Sequence, residues 1–143
     1  MLLGEFEHTL DDKNRLTLPA KFRERFAGGI VLTRGIDGCL DAYTRTDWER
    51  LVESRLSALD PLSKEGRMMR RHFFSGAAEA IPDRQGRVMV PASLIESARL
   101  ARELIIAGVD DHLEIWDRAA WREQLRELEG RVEDAAERLA QRD

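Results

Sequence analysis

Hydrophobic and polar positions alternate in short stretches along this chain, and the stretches come in the same order twice. Glu5 to Leu10 alternates weakly, Asp11 to Asn14 is turn-forming, and Arg15-Leu16-Thr17-Leu18 alternates again with a period of two. Two strands around a tight loop are predicted there. Pro19 follows directly and suits the first position of a helix, where its missing N–H would be unpaired anyway. A helix of about two turns is expected, ended by Gly28-Gly29. Ile30 to Thr33, Gly35 to Gly38 and Cys39 to Tyr43 then read as strand, turn and strand. The second round has its strand at Arg87-Val88-Met89-Val90, its proline at Pro91, and its hairpin at Leu104 to Ala107, Gly108 to Asp111 and His112 to Trp116.

Helical spacing takes over after each round. Trp48, Leu51, Val52, Leu56 and Leu59 fit one helix, capped by Thr46 or Asp47 and stopped by Asp60-Pro61. Ser63 to Phe74 forms another, closed by Gly76. Trp121, Leu125, Leu128, Val132, Ala135 and Leu139 alternate steps of four and three, the 3.5-residue period of a coiled-coil seam. The same stripe would also serve an amphipathic helix lying on its own domain, and Gly130 within it costs about 1 kcal/mol against Ala.

The recurrence is literal as well as periodic. Asp11-Asp12-Lys13-Asn14-Arg15-Leu16-Thr17-Leu18-Pro19-Ala20 returns 72 positions on as Asp83-Arg84-Gln85-Gly86-Arg87-Val88-Met89-Val90-Pro91-Ala92. Gly35-Ile36-Asp37 matches Gly108-Val109-Asp110, Tyr43 matches Trp116, and Trp48 matches Trp121 after one inserted residue. One small unit has been duplicated and fused. The division expected is repeat one over 5–47, a helical linker over 48–75, repeat two over 76–119 and a C-terminal helix over 120–143. A unit of about 45 residues is near the size at which a lone domain cannot bury enough apolar surface. The two copies should therefore share a core.

Composition adds bounds. At 143 residues, 43% hydrophobic and 35% charged, this is an ordinary soluble chain with no apolar run near the roughly 20 residues of a membrane span. The start Met1-Leu2-Leu3-Gly4-Glu5 lacks a signal peptide's pattern, so a cytoplasmic location is expected. The single cysteine, Cys39, leaves no internal disulfide and reads as a small buried strand residue. The net charge of −4 hides an uneven distribution: Lys13, Arg15, Lys21, Arg23 and Arg25 stand against Glu24 alone, whereas Glu103 to Asp117 is acidic. Lys21, Arg23 and Arg25 fit a solvated helix face equally well.

Two copies of Asp-x-x-x-Arg, each followed by an alternating strand, Pro, a Gly-x-Asp hairpin and a Trp-bearing helix, resemble the MraZ family of bacterial transcriptional regulators. The resemblance runs from Glu5 to at least Trp121 and includes Gly4-Glu5-Phe6. It implies an α+β, mainly β fold of two tandem AbrB-like (SpoVT-AbrB) swapped-hairpin barrels. It also implies cofactor-free binding of double-stranded DNA, assembly with itself into ring-shaped oligomers, and a place at the nucleoid. The target it implies is short tandem repeats in the promoter of a division and cell-wall gene cluster, most simply for repression.

Residue chemistry agrees with that role. The first loop presents Lys13, Asn14 and Arg15, the second Arg84, Gln85 and Arg87, all types that bond to phosphates or base edges. An Arg at the mouth of a short β-ribbon can reach guanine O6 and N7 together or fork onto a phosphate. Asp11 and Asp83 would repel DNA and are read as loop organisers that hold their Arg partners in one geometry. An internal Asp–Arg salt bridge without ligand is the plainer alternative for the same residues. Arg15 is expected to matter more than Arg87, because Lys13 and Asn14 give its loop the richer donors.

Catalysis finds little support. His8, His72 and His112 stand in unlike contexts, and neither Cys-x-x-Cys, His-x-x-x-His, a phosphate-binding Gly loop nor a Gly-x-Ser-x-Gly elbow is present. An Arg beside each acid suits ion pairing better than general acid chemistry. No catalytic group, metal, cofactor, small-molecule substrate or membrane contact is expected. The closer rival is an oligomeric protein-binding adaptor or antitoxin-like module, which the AbrB fold also hosts.

Overall fold

The computed structural model describes residues 1–142. Eight strands follow in order: β1 (Leu2–Thr9), β2 (Arg15–Thr17), β3 (Ile30–Arg34), β4 (Leu40–Tyr43), β5 (Ala78–Ala80), β6 (Arg87–Met89), β7 (Glu103–Asp110) and β8 (Leu113–Asp117). Helices α1 (Arg45–Ser54), α2 (Lys64–Arg70), α3 (Ala92–Ser97), α4 (Arg118–Leu128) and α5 (Val132–Gln141) join or follow them. Among the described residues no helix is long and apolar enough to cross a membrane.

Strand pairing interlocks the repeats. One sheet runs β1-β7-β8-β4-β3-β5, and β2 pairs with β6 in a second, two-stranded sheet. The hairpin of repeat two thus takes its outer neighbour, β1, from repeat one, and the hairpin of repeat one takes β5 from repeat two. Exchanging equivalent strands reverses the order and leaves the sheet unchanged, so the duplication is folded as an internal two-fold. Its axis can be read from the registers: Leu16 lies opposite its own equivalent Val88, and Asp41 opposite its own equivalent Glu114. This exchange is the swapped, tandem AbrB-like α+β architecture that the resemblance implied.

The shared core follows. Leu16, Leu18 and Phe26 of one repeat pack in a single buried cluster with Val88, Leu94 and Ile106 of the other. Phe26 is fully buried, which stabilises the fold by about 1.5–3 kcal/mol against leaving it exposed. Strands β3 and β4, and β7 from Leu104 to Ala107, are buried on both faces, because a second layer covers the sheet's outer side. Trp48 packs on Tyr43 and Phe74 there, and its counterpart Trp121 packs on Trp116. Both tryptophans are half-buried covers of this layer and stand apart from the main core.

Several local expectations need correction. Pro19 and Pro91 are cap residues with extended ψ of 135° and 143°, one position earlier than expected. After Pro19 comes only a 3-10 turn, Ala20–Phe22, because Phe22 and Arg23 donate to carbonyls three residues back. Helix α1 is capped by Thr44, whose hydroxyl oxygen accepts from Asp47 N–H at 3.1 Å, and it stops at Ser54. Arg55 leaves helical geometry there, and Leu56 turns inward to 4% exposure. The Ser63-capped helix passes into a wider π-helical turn at Arg71–Ser75. The C-terminal stripe is two helices, because Gly130 adopts φ +82° between α4 and α5. Cys39 is buried beside β4 as expected.

Candidate nucleic-acid interface

Each Asp-x-x-x-Arg loop is built by its own aspartate. Asp11 Oδ1 accepts from the Lys13 and Arg15 backbone N–H groups at 2.8 and 2.9 Å, and Oδ2 accepts from Arg15 Nε at 2.8 Å. Asp83 does the same with Gln85 N–H, Arg87 N–H and Arg87 Nε at 2.9, 2.8 and 2.7 Å. The backbone hydrogen bonds from Arg15 and Arg87 are the main reason both carboxyls are held below the usual carboxylate range, with the guanidinium partners adding to them. Each acid therefore stays ionised and each arginine is held through Nε, with no hydrogen bond to its terminal nitrogens among the described residues. The ion pair and the ligand-binding role are compatible in one geometry.

The loops close through left-handed residues at equivalent places, Asn14 at φ +59° and Gly86 at φ +77°. Asn tolerates that region and Gly adopts it freely. Their carbonyls also fix the two loops to each other: Asn14 O accepts from Val90 N–H and Gly86 O from Leu18 N–H, both at 2.8 Å. The β2–β6 ribbon between them is one alternating surface. Leu16, Leu18, Val88 and Val90 are buried beneath it, while Arg15 opposite Met89 and Thr17 opposite Arg87 face out.

The structure brings together all the residues singled out for DNA. Lys13, Asn14, Arg84 and Gln85 are exposed on the two loops, and their side chains have no hydrogen-bond partner among the described residues. Arg15 and Arg87 are half-buried on the ribbon beside them. The basic segment after Pro19 divides. Arg25 is taken up by Asp47 at 3.2 Å, whereas Arg23 donates Nε to Leu18 O at 3.1 Å and lies against the opposite loop. A Cβ on Gly86 would meet Arg23 Nε at 2.6 Å, so glycine is favoured by the close approach as well as by φ. Arg23 adds a cation to the second loop, and it joins Asp83 and Arg84 in the wall of an open surface hollow. Its equivalent in repeat two is Ile95, so the two ends of the ribbon differ. Sequence reading had no signal for this placement, whereas the period-two alternation already put Thr17 and Met89 on the face of Arg15 and Arg87.

A family profile described as "MraZ protein, putative antitoxin-like" matches the chain twice, over residues 1–71 and 73–143. A protein of Roseiflexus sp. (strain RS-1) named Transcriptional regulator MraZ is 44% identical over 141 residues, covering 99% of this chain and 98% of its own. Proteins of the same name from Pediococcus pentosaceus and Moorella thermoacetica are 43% and 42% identical, each covering 97% of this chain and 96% of their own. With one profile match on each half and relatives aligned from end to end, the chain belongs to the MraZ family.

Proposed function

We propose that this protein is a sequence-specific DNA-binding transcriptional regulator whose reading element is the β2–β6 ribbon with its two loops. The observation that carries this reading is the pair of arginines on the ribbon's outer face, each pre-positioned by an aspartate through Nε with its remaining donors free. A two-stranded ribbon fits the major groove, and two arginines related by a two-fold suit the symmetry of a duplex. Lys13, Asn14, Arg84 and Gln85, joined by Arg23, would reach phosphates or flanking base edges. Met89 offers an apolar contact of the kind that selects a thymine methyl. Pre-positioning lowers the ordering cost of binding.

The relatives' shared name supports regulation rather than catalysis. The finer reading is repression from short tandem repeats in the promoter of a division and cell-wall gene cluster, by a ring-shaped homo-oligomer in the cytoplasm at the nucleoid. With a net charge of −4, one ribbon gains little from general phosphate attraction. Linked ribbons on tandem sites raise apparent affinity by roughly 10²–10⁴ when the geometry fits. Leu125, Leu128, Val132 and Leu139 are exposed apolar residues of the tail and supply a surface for assembly.

The same tail, with the antitoxin-like description of the family, favours a second reading as a protein-binding module. A gel shift on the DNA upstream of the protein's own gene, with the mass of the free protein measured in parallel, separates the two. The regulator reading expects retarded DNA that requires Arg15 and Arg87; retention unaffected by both substitutions, or none at low salt, rejects it.

A further inference from the structure

On the outer face of the central strand pair, the internal two-fold brings four metal-ligand side chains together. Strand β4 and the residue before it present Cys39 and Asp41, and β8 with its preceding turn presents His112 and Glu114. These are equivalent positions of the two repeats, so a Cys-x-Asp step faces a His-x-Glu step across the axis. Asp41 lies directly opposite Glu114, while Cys39 and His112 occupy the two diagonals. We propose that Cys39, Asp41, His112 and Glu114 form a binding site for a zinc-class divalent cation that clips the two repeats together at their seam.

Distance and chemistry carry the proposal. Cys39 Sγ stands 3.8 Å from Asp41 Oδ1, and His112 Nε2 stands 3.8 Å from Asp41 Oδ1 and 3.6 Å from Glu114 Oε2. The donor atoms of Cys39, Asp41 and Glu114 all lie within 4.8 Å of one another. Donors around a tetrahedral zinc, bonded at about 2.0–2.3 Å, sit roughly 3.3–3.8 Å apart; His112 lies outside the close group of three, so its ring must move toward that group to complete the shell. The mixed sulfur, nitrogen and oxygen set suits zinc and cobalt and does not suit calcium or magnesium.

Neighbouring groups orient the donors. His112 Nδ1 is 2.8 Å from Asp111 Oδ1, which leaves Nε2 turned toward the two carboxylates, the usual outer partner of a zinc-bound histidine. The ring also stacks on Tyr43, with centroids 5.0 Å apart. Trp116 Nε1 donates to Glu114 Oε1 at 3.0 Å and leaves Oε2 for the ion. Gly35 makes room: a Cβ there would come within 2.7 Å of Cys39 Sγ and 2.9 Å of Asp41 Oδ1. Two carboxylates directly opposite on paired strands repel one another, and Cys39 and Asp41 are only 3% and 8% exposed. In the metal-free protein His112 faces both carboxylates, and a divalent cation would take over and strengthen that compensation.

Binding is a proton exchange: the ion takes the Cys39 thiolate and the neutral His112 imidazole, and the thiol proton and any imidazolium proton pass to the buffer. The test is titration of the full-length, chelator-stripped protein with cobalt(II), followed by zinc. Because Cys39 is the only cysteine, a thiolate-to-cobalt absorption band can arise from no other residue. The expected result is that band together with the intense visible bands of tetrahedral cobalt, saturating at one ion per chain and abolished by zinc, with proton release. Cys39→Ser should remove the near-ultraviolet band, Asp111→Asn should weaken zinc about 10–100-fold, and the exposed control Asp12→Asn should change neither. Octahedral spectra without the thiolate band in the wild-type protein, or zinc affinity unchanged in Cys39→Ser, would overturn the assignment.

Discussion

Asp11 and Asp83 each accept two backbone N–H groups and one guanidinium, so each side chain shapes its loop and aims its arginine at once. Replacing either by alanine should lower the unfolding temperature through the lost backbone hydrogen bonds, and should weaken DNA binding further by freeing the arginine. Thermal unfolding and anisotropy on the same variants read the two effects separately. At Gly86, alanine meets both a left-handed backbone and Arg23 at 2.6 Å, so Gly86→Ala should lower stability by at least about 1–2 kcal/mol. Asn14→Gly, at the equivalent place with open tolerance, should be close to neutral. The seam titrates too. Burial pushes Asp41 up to about 6; burial would lower His112, but hydrogen bonds to Glu114 and Asp111 and the charge of Asp41 outweigh it and raise it to about 9. Both folded values lie above the unfolded ones, so both groups withdraw stability as pH rises. His112 does so from its ordinary 6.5 through about 9, and Glu114, held low chiefly by its hydrogen bond to His112, withdraws it only at the acid end. In chelator, the unfolding temperature should fall between pH 6.5 and 9, and His112→Asn should flatten that fall; an equal slope in both proteins would refute the linkage.

Elements whose residues act locally were legible in the chain. The alternation around Arg15 and Arg87, the Asp-x-x-x-Arg loops and the Gly-x-Asp hairpins became β2, β6 and the two hairpins because period-two burial and turn chemistry are properties of neighbours in sequence. What depends on distant partners was not. Thr44, rather than Thr46 or Asp47, caps α1 because the strand β4 that precedes it ends at Tyr43. The apolar stripe from Trp121 to Leu139 kept its spacing across Gly130, yet Trp121 packs on Trp116 whereas Leu128, Val132 and Leu139 are left 43%, 58% and 63% exposed. Arg23 illustrates the same limit, since its contact with the second loop arises only when the repeats interlock. The exposed stripe is the place to test assembly: Leu128→Glu with Val132→Glu should give smaller, folded species by light scattering. These should keep single-repeat binding while losing most of the advantage on tandem repeats.

Across the whole molecule, the duplication is a way of making one core from two insufficient halves. β1 pairs with β7 and β5 with β3, so neither repeat retains its own outer strand, and Leu16 and Val88 meet only when both are present. Residues 1–60 or 77–143 expressed alone should therefore be unfolded, aggregated or rescued by dimerisation; a cooperative monomeric melt of either would contradict the shared core. The same two-fold places the arginine ribbon and the Asp41–Glu114 seam on strands that share this core.

The central claim is that two Asp-held arginines on one ribbon read DNA, and it is tested most directly by anisotropy titrations of the upstream DNA over a range of salt concentrations. Wild type, Arg15→Ala, Arg87→Ala and the double variant would be compared at matched thermal stability. Loss of a bidentate base contact should cost about 1–3 kcal/mol per site on the specific sequence and little on scrambled DNA. Loss of a phosphate contact should weaken both sequences alike and reduce the salt slope by about one. The Arg15 loop brings Lys13 and Asn14, but Arg23 lies against Gly86 in the Arg87 loop, so the two single variants should lose affinity to similar extents. Specific affinity and salt dependence unchanged in the folded double variant would contradict the account.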